Sequence, residues 1–231
     1  MKTVFVLLTL ITVAAGNVLP GGSPQERRQD IKFILSNMAE KEKGIESIQL
    51  EFIQIMKFAA TADTQTMSGG VIFKRPNRIY YRIYSPAEQI VVSDGKKLWL
   101  YNLSTNQVFV DLWKNWKGIN YFIPGIFNPK GTVSDLKKYF NFELLSEEAG
   151  DYVLKLVPKE KVAADLHIMP GEFEFRMWVS TATFHPRKSM FLSENITVET
   201  DIIKYEVNVS TPDALFDFKP PADAEVLRLF K

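Results

Sequence analysis

Apolar residues recur first at helical spacing and then at the spacing of β-strands. After Ser23 and Pro24, which suit a helix start, the helical stripe comprises Ile31, Ile34, Leu35 and Met38. Gly44 favours the end of this helix. From Ser47 onward the apolar period changes to two. The pattern therefore predicts one helix followed by a sheet.

Short strand patterns continue through most of the chain, and turn signals separate them. Asp94-Gly95 and Ala149-Gly150 are typical of tight hairpin turns. This regular spacing favours an antiparallel sheet in one domain. The predicted strands are 47–58, 69–75, 77–84, 89–93, 96–102, 107–111, 142–145, 152–158, 172–179, 190–192, 196–208 and a tail strand near 216–218, and 134–140 predicts a short helix.

The strand pattern breaks between residues 112 and 129, where bulky apolar residues alternate with Gly118, Pro124, Gly125 and Pro129. The glycines and prolines prevent one long helix. A loop this apolar is not expected to face water. A sheet bent over such a loop can enclose a packed core or a lipid cavity, because alternation gives the same inward face in both cases.

The first residues have the organisation of a secretory signal peptide. Lys2 precedes an apolar run from Val4 to Val13, and Ala14-Ala15-Gly16 provides a small-residue exit. We expect residues 1–16 to be removed and residues 17–231 to form a single exported domain. The chain has no cysteine, so neither a disulfide nor an acylated N-terminal cysteine is expected.

Charge and residue types exclude several function classes. The chain has 28 basic and 27 acidic residues, a formal charge of +1, which gives no global attraction for nucleic acid or for an anionic membrane. His167 and His185 are not at metal-ligand spacing and are expected at the surface. No nucleophile motif or phosphate loop is present. The sequence therefore predicts a protein that is not an enzyme and needs no cofactor.

An ordered set of motifs covers much of the chain. The motif residues are Gly70, Lys74-Arg75-Pro76-Asn77, Tyr80 to Tyr84, Pro86, Val92-Ser93-Asp94-Gly95, Leu98-Trp99, Tyr101 and Gln107-Val108. Further motifs are Phe52-x-Gln54 upstream and Phe216-x-Phe218-x-Pro220-Pro221 downstream. Together these motifs resemble the LolA family of periplasmic outer-membrane lipoprotein carriers. Between residues 162 and 193 the chain departs from the family's usual spacing.

The resemblance implies a mainly β fold with α-helices, an incomplete and strongly curved antiparallel barrel, or half-barrel, closed by a helical lid. It implies that Arg75 points inward and clamps the lid through hydrogen bonds to lid carbonyls. A guanidinium suits this role because it offers five donors. The implied lid residues are Ile34, Leu35, Met38, Ile119, Phe122 and Ile126, and the implied cavity wall comprises Phe52, Ile79, Tyr81, Trp99 and Tyr101.

The resemblance also implies a function. The protein would be a monomeric periplasmic carrier that binds the acyl chains of lipoproteins. An ATP-driven (ABC-type) exporter in the inner membrane would hand them over, and an outer-membrane acceptor, where one exists, would receive them. The alternatives are a regulatory module of the same fold that senses lipid or lipoprotein, and a lipid hydrolase, for which the two histidines offer little.

Overall fold

The fold is mainly β, with few helices and one large open sheet. The computed structural model describes residues 24–115, 122–123, 126–127, 133–160 and 173–228. The helices are α1 (Pro24–Lys41) and α2 (Val133–Tyr139), with 3-10 turns at Trp113–Asn115 and Asp213–Phe216. The strands are β1 (Ser47–Phe58), β2 (Thr64–Lys74), β3 (Arg78–Ser85), β4 (Gln89–Asp94), β5 (Lys97–Asn102), β6 (Gln107–Leu112), β7 (Phe122–Ile123), β8 (Ile126–Phe127), β9 (Phe140–Glu148), β10 (Asp151–Pro158), β11 (Phe173–Ser180), β12 (Pro186–Ser193), β13 (Ile196–Val207) and β14 (Glu225–Arg228).

Twelve strands form the large sheet in the order β14-β6-β5-β4-β3-β2-β1-β13-β12-β11-β10-β9, and β7 pairs with β8 separately. Two runs of consecutive hairpins, β2 to β6 and β9 to β13, meet on the two sides of β1. Every neighbouring pair in the large sheet is antiparallel except β14 with β6. The predicted antiparallel sheet is therefore confirmed in outline. The half-barrel curvature and the lid stay predictions.

Local sequence signals explain where the helices and hairpins end. α1 ends at Lys41, and Gly44 follows with a φ of 77°, which an L side chain rarely adopts. In the β4–β5 turn the carboxylate of Asp94 accepts hydrogen bonds from the backbone N–H groups of Lys96 and Lys97, at 2.7 and 2.8 Å. These contacts confirm the helix stop and the tight turn that the sequence predicts.

The C-terminal tail differs from the expectation. The sequence predicts a strand at 216–218, but Asp213–Phe216 form a 3-10 turn and the chain continues to β14 at Glu225–Arg228. Phe216 is buried, and the 3-10 turn packs against β3 and β4. The predicted tail strand is therefore wrong, because this segment crosses the outside of the sheet and adds an edge strand only after Pro220-Pro221.

Candidate functional site

One face of the sheet carries the helices and most of the buried apolar side chains, and we call it the helix face. The strand register shows which side chains lie on this face, since residues paired across neighbouring strands point to the same side of the sheet. One row across five strands is buried and comprises Gln54, Thr200, Ser189, Met177 and Leu154. Met177 and Leu154 pack with α1, so the whole row and Phe52, two residues from Gln54, lie on the helix face.

The first apolar cluster on the helix face lies under the helices. From α1, Ile34, Leu35 and Met38 are all buried there, as the helical spacing predicts. The two helices are joined at their ends, because the Glu42 carboxylate accepts a hydrogen bond of 2.8 Å from the backbone N–H of Val133. The other members are Val133, Leu136, Phe140, Leu154, Leu156, Phe175, Met177 and Val179.

The second apolar cluster lies on the same face, beyond β1. The rings of Phe52 and Tyr81 stack in it with centroids 5.9 Å apart and planes 5° apart. Burial raises the pKa of the Tyr81 hydroxyl to about 12, because the charged phenolate is disfavoured away from water. The cluster consists of Leu50, Phe52, Met67, Val71, Phe73, Ile79, Tyr81, Leu98 and Trp113.

Close packing against Phe52 requires a glycine on the neighbouring strand. Gly69 pairs with Phe52 across β1 and β2, and a Cβ at Gly69 would lie 2.7 Å from Cζ of the Phe52 ring. The same Cβ would lie 2.6 Å from the backbone oxygen of Arg82. Gly69 therefore lets the aromatic ring lie flat against the sheet.

A short polar row separates the two apolar clusters. The side-chain amide of Gln54 donates a hydrogen bond of 2.9 Å to the hydroxyl of Thr200. Ser189 follows on the next strand, and all three side chains are buried. Because buried polar groups are costly without hydrogen bonds, the Gln54–Thr200 bond offsets part of the cost of burying these two side chains.

The sheet brings together three of the five predicted wall residues. Phe52, Ile79 and Tyr81 are buried members of the second cluster. Trp99 and Tyr101 lie on the opposite face, where their rings are 6.2 and 5.9 Å from the ring of Phe218.

The placement of Trp99 and Tyr101 corrects the sequence expectation. Ile79 pairs with Ser93, and Ser93 pairs with Leu98. The residues of β5 that share the face of Ile79 are therefore Leu98 and Leu100, one position away from the predicted Trp99 and Tyr101. Counting this register through the β3–β4 and β4–β5 turns could have given the correct face from the sequence.

The predicted lid residues are only partly within the described structure. The side chains of Ile34, Leu35 and Met38 pack on the sheet. Phe122 and Ile126 belong to the short strands β7 and β8. The structure describes the backbone of these two residues but not their side chains. Ile119 also lies outside the described residues. Movement of these elements as a lid stays a prediction.

Arg75 lies in the turn between β2 and β3, and its side chain is exposed, not pointing inward as the resemblance implies. Its backbone N–H donates a hydrogen bond of 2.9 Å to the carbonyl of Glu46, just before β1. The turn therefore joins the start of β1 to the β2–β3 hairpin. The clamp role of Arg75 stays a prediction.

His185 is half-buried, although the sequence predicts a surface residue. Its ring lies 4.8 Å from the ring of Tyr205, between centroids. Burial, and secondarily the charge of Lys41 at the end of α1, lower the pKa of His185 below its ordinary value. Burial raises the pKa of Tyr205 to about 12. No motif in the sequence indicated this contact, which depends on the register of β12 and β13. His167 lies outside the described residues.

Residues within the described ranges form neither a metal-binding cluster nor a membrane-spanning helix. Within those ranges, no group of three or more His, Asp or Glu side chains could hold a metal ion. Nor does any helix there have the length and apolarity needed to cross a membrane. The helix face therefore offers a ligand a large apolar surface beside one buried polar row.

The fold and the helix face define a mainly β protein with two buried apolar clusters on one side of an open sheet. The family model described as outer membrane lipoprotein carrier protein LolA matches residues 43–219. The chain therefore belongs to the LolA family.

Relatives of similar length support this assignment. An outer-membrane lipoprotein carrier protein of Azotobacter vinelandii is 28% identical over 213 residues, which cover 86% of this chain and 94% of that protein. An outer-membrane lipoprotein carrier protein of Pseudomonas putida (strain W619) is 26% identical over 230 residues, which cover 96% of this chain and 97% of that protein. An uncharacterized conserved protein from Thermus thermophilus shares the fold, with a TM-score of 0.53 and 14% identity over 87% of this chain and 99% of that chain.

Proposed function

We propose that this protein is a periplasmic carrier that binds the acyl chains of lipoproteins released from the inner membrane and delivers them to the outer membrane. The observation that carries the proposal is the pair of buried apolar clusters on the helix face of a LolA-family chain. Residues 1–16 serve as the export signal, and residues 17–231 form the carrier domain.

The physical task explains why such a carrier needs a large apolar face. Each methylene of an acyl chain gains about 0.8 kcal/mol when it leaves water, so a lipoprotein anchor with two or three chains would cost roughly tens of kcal/mol in an aqueous space. A protein that covers these chains removes most of that cost. It does so without a metal, a nucleotide or a nucleophile, and we propose that the carrier is not an enzyme.

We assign the acyl chains to the helix face, with Phe52, Ile79 and Tyr81 in the wall and Leu98 in place of Trp99 and Tyr101. Separating α1 from the sheet would expose Ile34, Leu35 and Met38, at a cost of about 5–9 kcal/mol for three buried apolar side chains. An acyl chain that replaces α1 on the sheet offsets this cost. The bound chain thus stabilises the open arrangement.

The lid in this proposal consists of α1 and the apolar segment that contains Ile119, Phe122 and Ile126. Arg75 holds the lid closed by donating hydrogen bonds to backbone carbonyls, and release of these bonds accompanies loading. The partners are acylated lipoproteins, an ABC-type exporter in the inner membrane and an outer-membrane acceptor. The carrier acts as a monomer.

The test is capture of lipidated cargo by the purified protein. A tagged form should recover acylated proteins from cells, and it should take up a lipoprotein but not the same protein with its lipidated cysteine replaced by alanine. Recovery of no acylated protein, or equal binding of the two cargo forms, would refute the carrier role. Depleting the protein from cells separates the sensor alternative, because loss of a carrier strands lipoproteins at the inner membrane.

A further inference from the structure

We infer that one end of the sheet docks on a membrane surface that contains anionic phospholipid. This end, which we call the basic end, consists of the turns at 75–77 and 94–97 and the segment 112–115, with the strand ends beside them. The inference concerns the carrier itself and does not depend on which cargo occupies the helix face.

Direct contacts place the three segments of the basic end side by side. The hydroxyl of Ser93, at the end of β4, donates a hydrogen bond of 3.1 Å to the carbonyl of Asn77. The backbone N–H of Trp113 donates one of 2.8 Å to the carbonyl of Lys96. The exposed side chains of Arg75, Lys96, Lys97 and Lys114 therefore share one surface.

Charge is sorted between the two ends of strands β2 to β6. The carboxylates of the basic end are Glu46, Asp94, Asp111 and Asp213, and its cations are Lys74, Arg75, Arg78, Lys96, Lys97, Lys114 and Arg228. Seven positive and four negative charges give a local charge of +3. The opposite ends of these strands carry Asp63, Glu88, Asp223 and Glu225 against Lys57 and Arg82, a charge of −2. The whole chain has a charge of +1, so the sorting does not arise from an overall excess.

Three lysines of the basic end are available for a ligand. Lys74 and Arg78 bind the carboxylate of Asp213, at 2.7 and 2.8 Å. The ion pairs among the described residues do not include Lys96, Lys97 or Lys114. The nearby carboxylate of Asp94 accepts hydrogen bonds from the backbone instead. These lysines can therefore extend to an external anionic surface.

An exposed leucine within this basic surface favours lipid over an acidic protein. Leu112 is 42% exposed, pairs with Lys97 across β5 and β6, and lies two residues before Lys114. An apolar side chain flanked by long basic ones is typical of surfaces that adsorb to the lipid interface, where the lysine stems lie along the acyl boundary and the ammonium groups contact phosphate. A lipid interface supplies apolar contacts to Leu112 at any point of docking, whereas an acidic protein surface would need an apolar side chain at the matching position.

The test is cosedimentation of the purified protein with lipid vesicles. We expect adsorption to vesicles that contain phosphatidylglycerol, none to vesicles of phosphatidylcholine alone, and a decline with added salt. A lysine near an anionic leaflet strengthens adsorption about fivefold, so the triple variant Lys96→Gln/Lys97→Gln/Lys114→Gln should bind about a hundredfold more weakly.

The matched control changes the same number of exposed lysines away from the basic end. The variant Lys57→Gln/Lys137→Gln/Lys219→Gln has the same net charge as the triple variant and should keep nearly all of the adsorption. Thermal unfolding of both variants establishes that each is folded. Equal weakening by the two variants would show that only net charge matters, and would overturn the inference.

Two further outcomes also overturn it. One is equal adsorption to both kinds of vesicle, which would mean that anionic lipid is not recognised. The other is absence of vesicle adsorption together with binding to polyglutamate that depends on the same lysines, which would make the occupant an acidic protein. Neither result bears on lipoprotein capture, so the carrier proposal and this inference fail separately.

Discussion

Replacing Gly69 by alanine tests whether the second apolar cluster depends on the close approach of Phe52 to β2. The new Cβ would lie 2.6 Å from the backbone oxygen of Arg82 and 2.7 Å from Cζ of Phe52. Ordinary contact begins at 3.4 Å, so the first distance is about 0.8 Å too short. Neither neighbour can move freely, because one is a strand carbonyl and the other is a fully buried ring.

The magnitude follows from two opposing effects. Overpacking of a buried site costs about 1–3 kcal/mol. Alanine also restricts the unfolded chain relative to glycine, which stabilises the fold by about 0.4–1 kcal/mol. We therefore expect Gly69→Ala to lower the free energy of unfolding by about 1–2 kcal/mol. For a domain of this size, each kcal/mol lowers the melting temperature by about 2–4 °C.

Gly70→Ala provides the matched control on the next residue. Its Cβ would lie 2.7 Å from the hydroxyl of Tyr84, the far end of a side chain that is 52% exposed and can rotate away. The unfolded-state effect then dominates, and this variant should be neutral or slightly stabilising.

Urea denaturation measures both glycine variants, and only the transition midpoint should change, not its slope. Gly69→Ala should cost less in a Phe52→Leu background than in the native background, since the ring contact disappears while the Arg82 contact remains. Equal effects of Gly69→Ala and Gly70→Ala, or the same cost of Gly69→Ala in both backgrounds, would refute the reasoning.

Three other perturbations test the lid, the histidine contact and the polar row. Arg75→Leu should leave lipid uptake intact but impair lid closure and delivery. Arg75→Lys should restore delivery poorly, because lysine lacks the planar guanidinium group. Normal delivery by Arg75→Leu would contradict the clamp role of Arg75. The pKa of His185 is lowered in the folded state, so the unfolded chain binds the proton better. The free energy of unfolding should therefore fall as the pH drops through and below 6.5. A His185→Gln variant with the same pH dependence would exclude this residue as the cause. Gln54→Leu should lower the free energy of unfolding in urea by about 1–3 kcal/mol, because it removes the hydrogen-bond donor to Thr200. The double variant Gln54→Leu/Thr200→Val should be nearly neutral. Additive losses from the two substitutions would argue against the importance of the Gln54–Thr200 hydrogen bond.

Features of the fold that depend on neighbouring residues could be predicted from the sequence. The apolar stripe Ile34, Leu35 and Met38 packs on the sheet as its helical spacing predicts. Asp94-Gly95 forms the expected tight turn, and Gly44 follows α1 in the left-handed conformation. These signals succeed because spacing, capping and turn chemistry act within a few residues of the chain.

The assignment of side chains to the candidate site was less successful where it needed register. Phe52, Ile79 and Tyr81 meet in one cluster, but Trp99 and Tyr101 lie on the other face against Phe218. A shift of one residue moves every side chain of a strand to the opposite face. An aromatic residue in β5 is therefore not evidence for a wall position until its pairing is known.

The sequence by itself determined that this protein is mainly β, that its first helix is amphipathic and that its motifs are those of the LolA family. Only the tertiary structure decided that β1 joins the two hairpin runs, which face receives each apolar side chain, and where the tail crosses the sheet. The physical reason is the separation along the chain between the residues that determine each feature. Periodicity and turns reflect local backbone geometry, whereas the pairing of Gln54 with Thr200, or of His185 with Tyr205, depends on contacts between residues far apart in the chain.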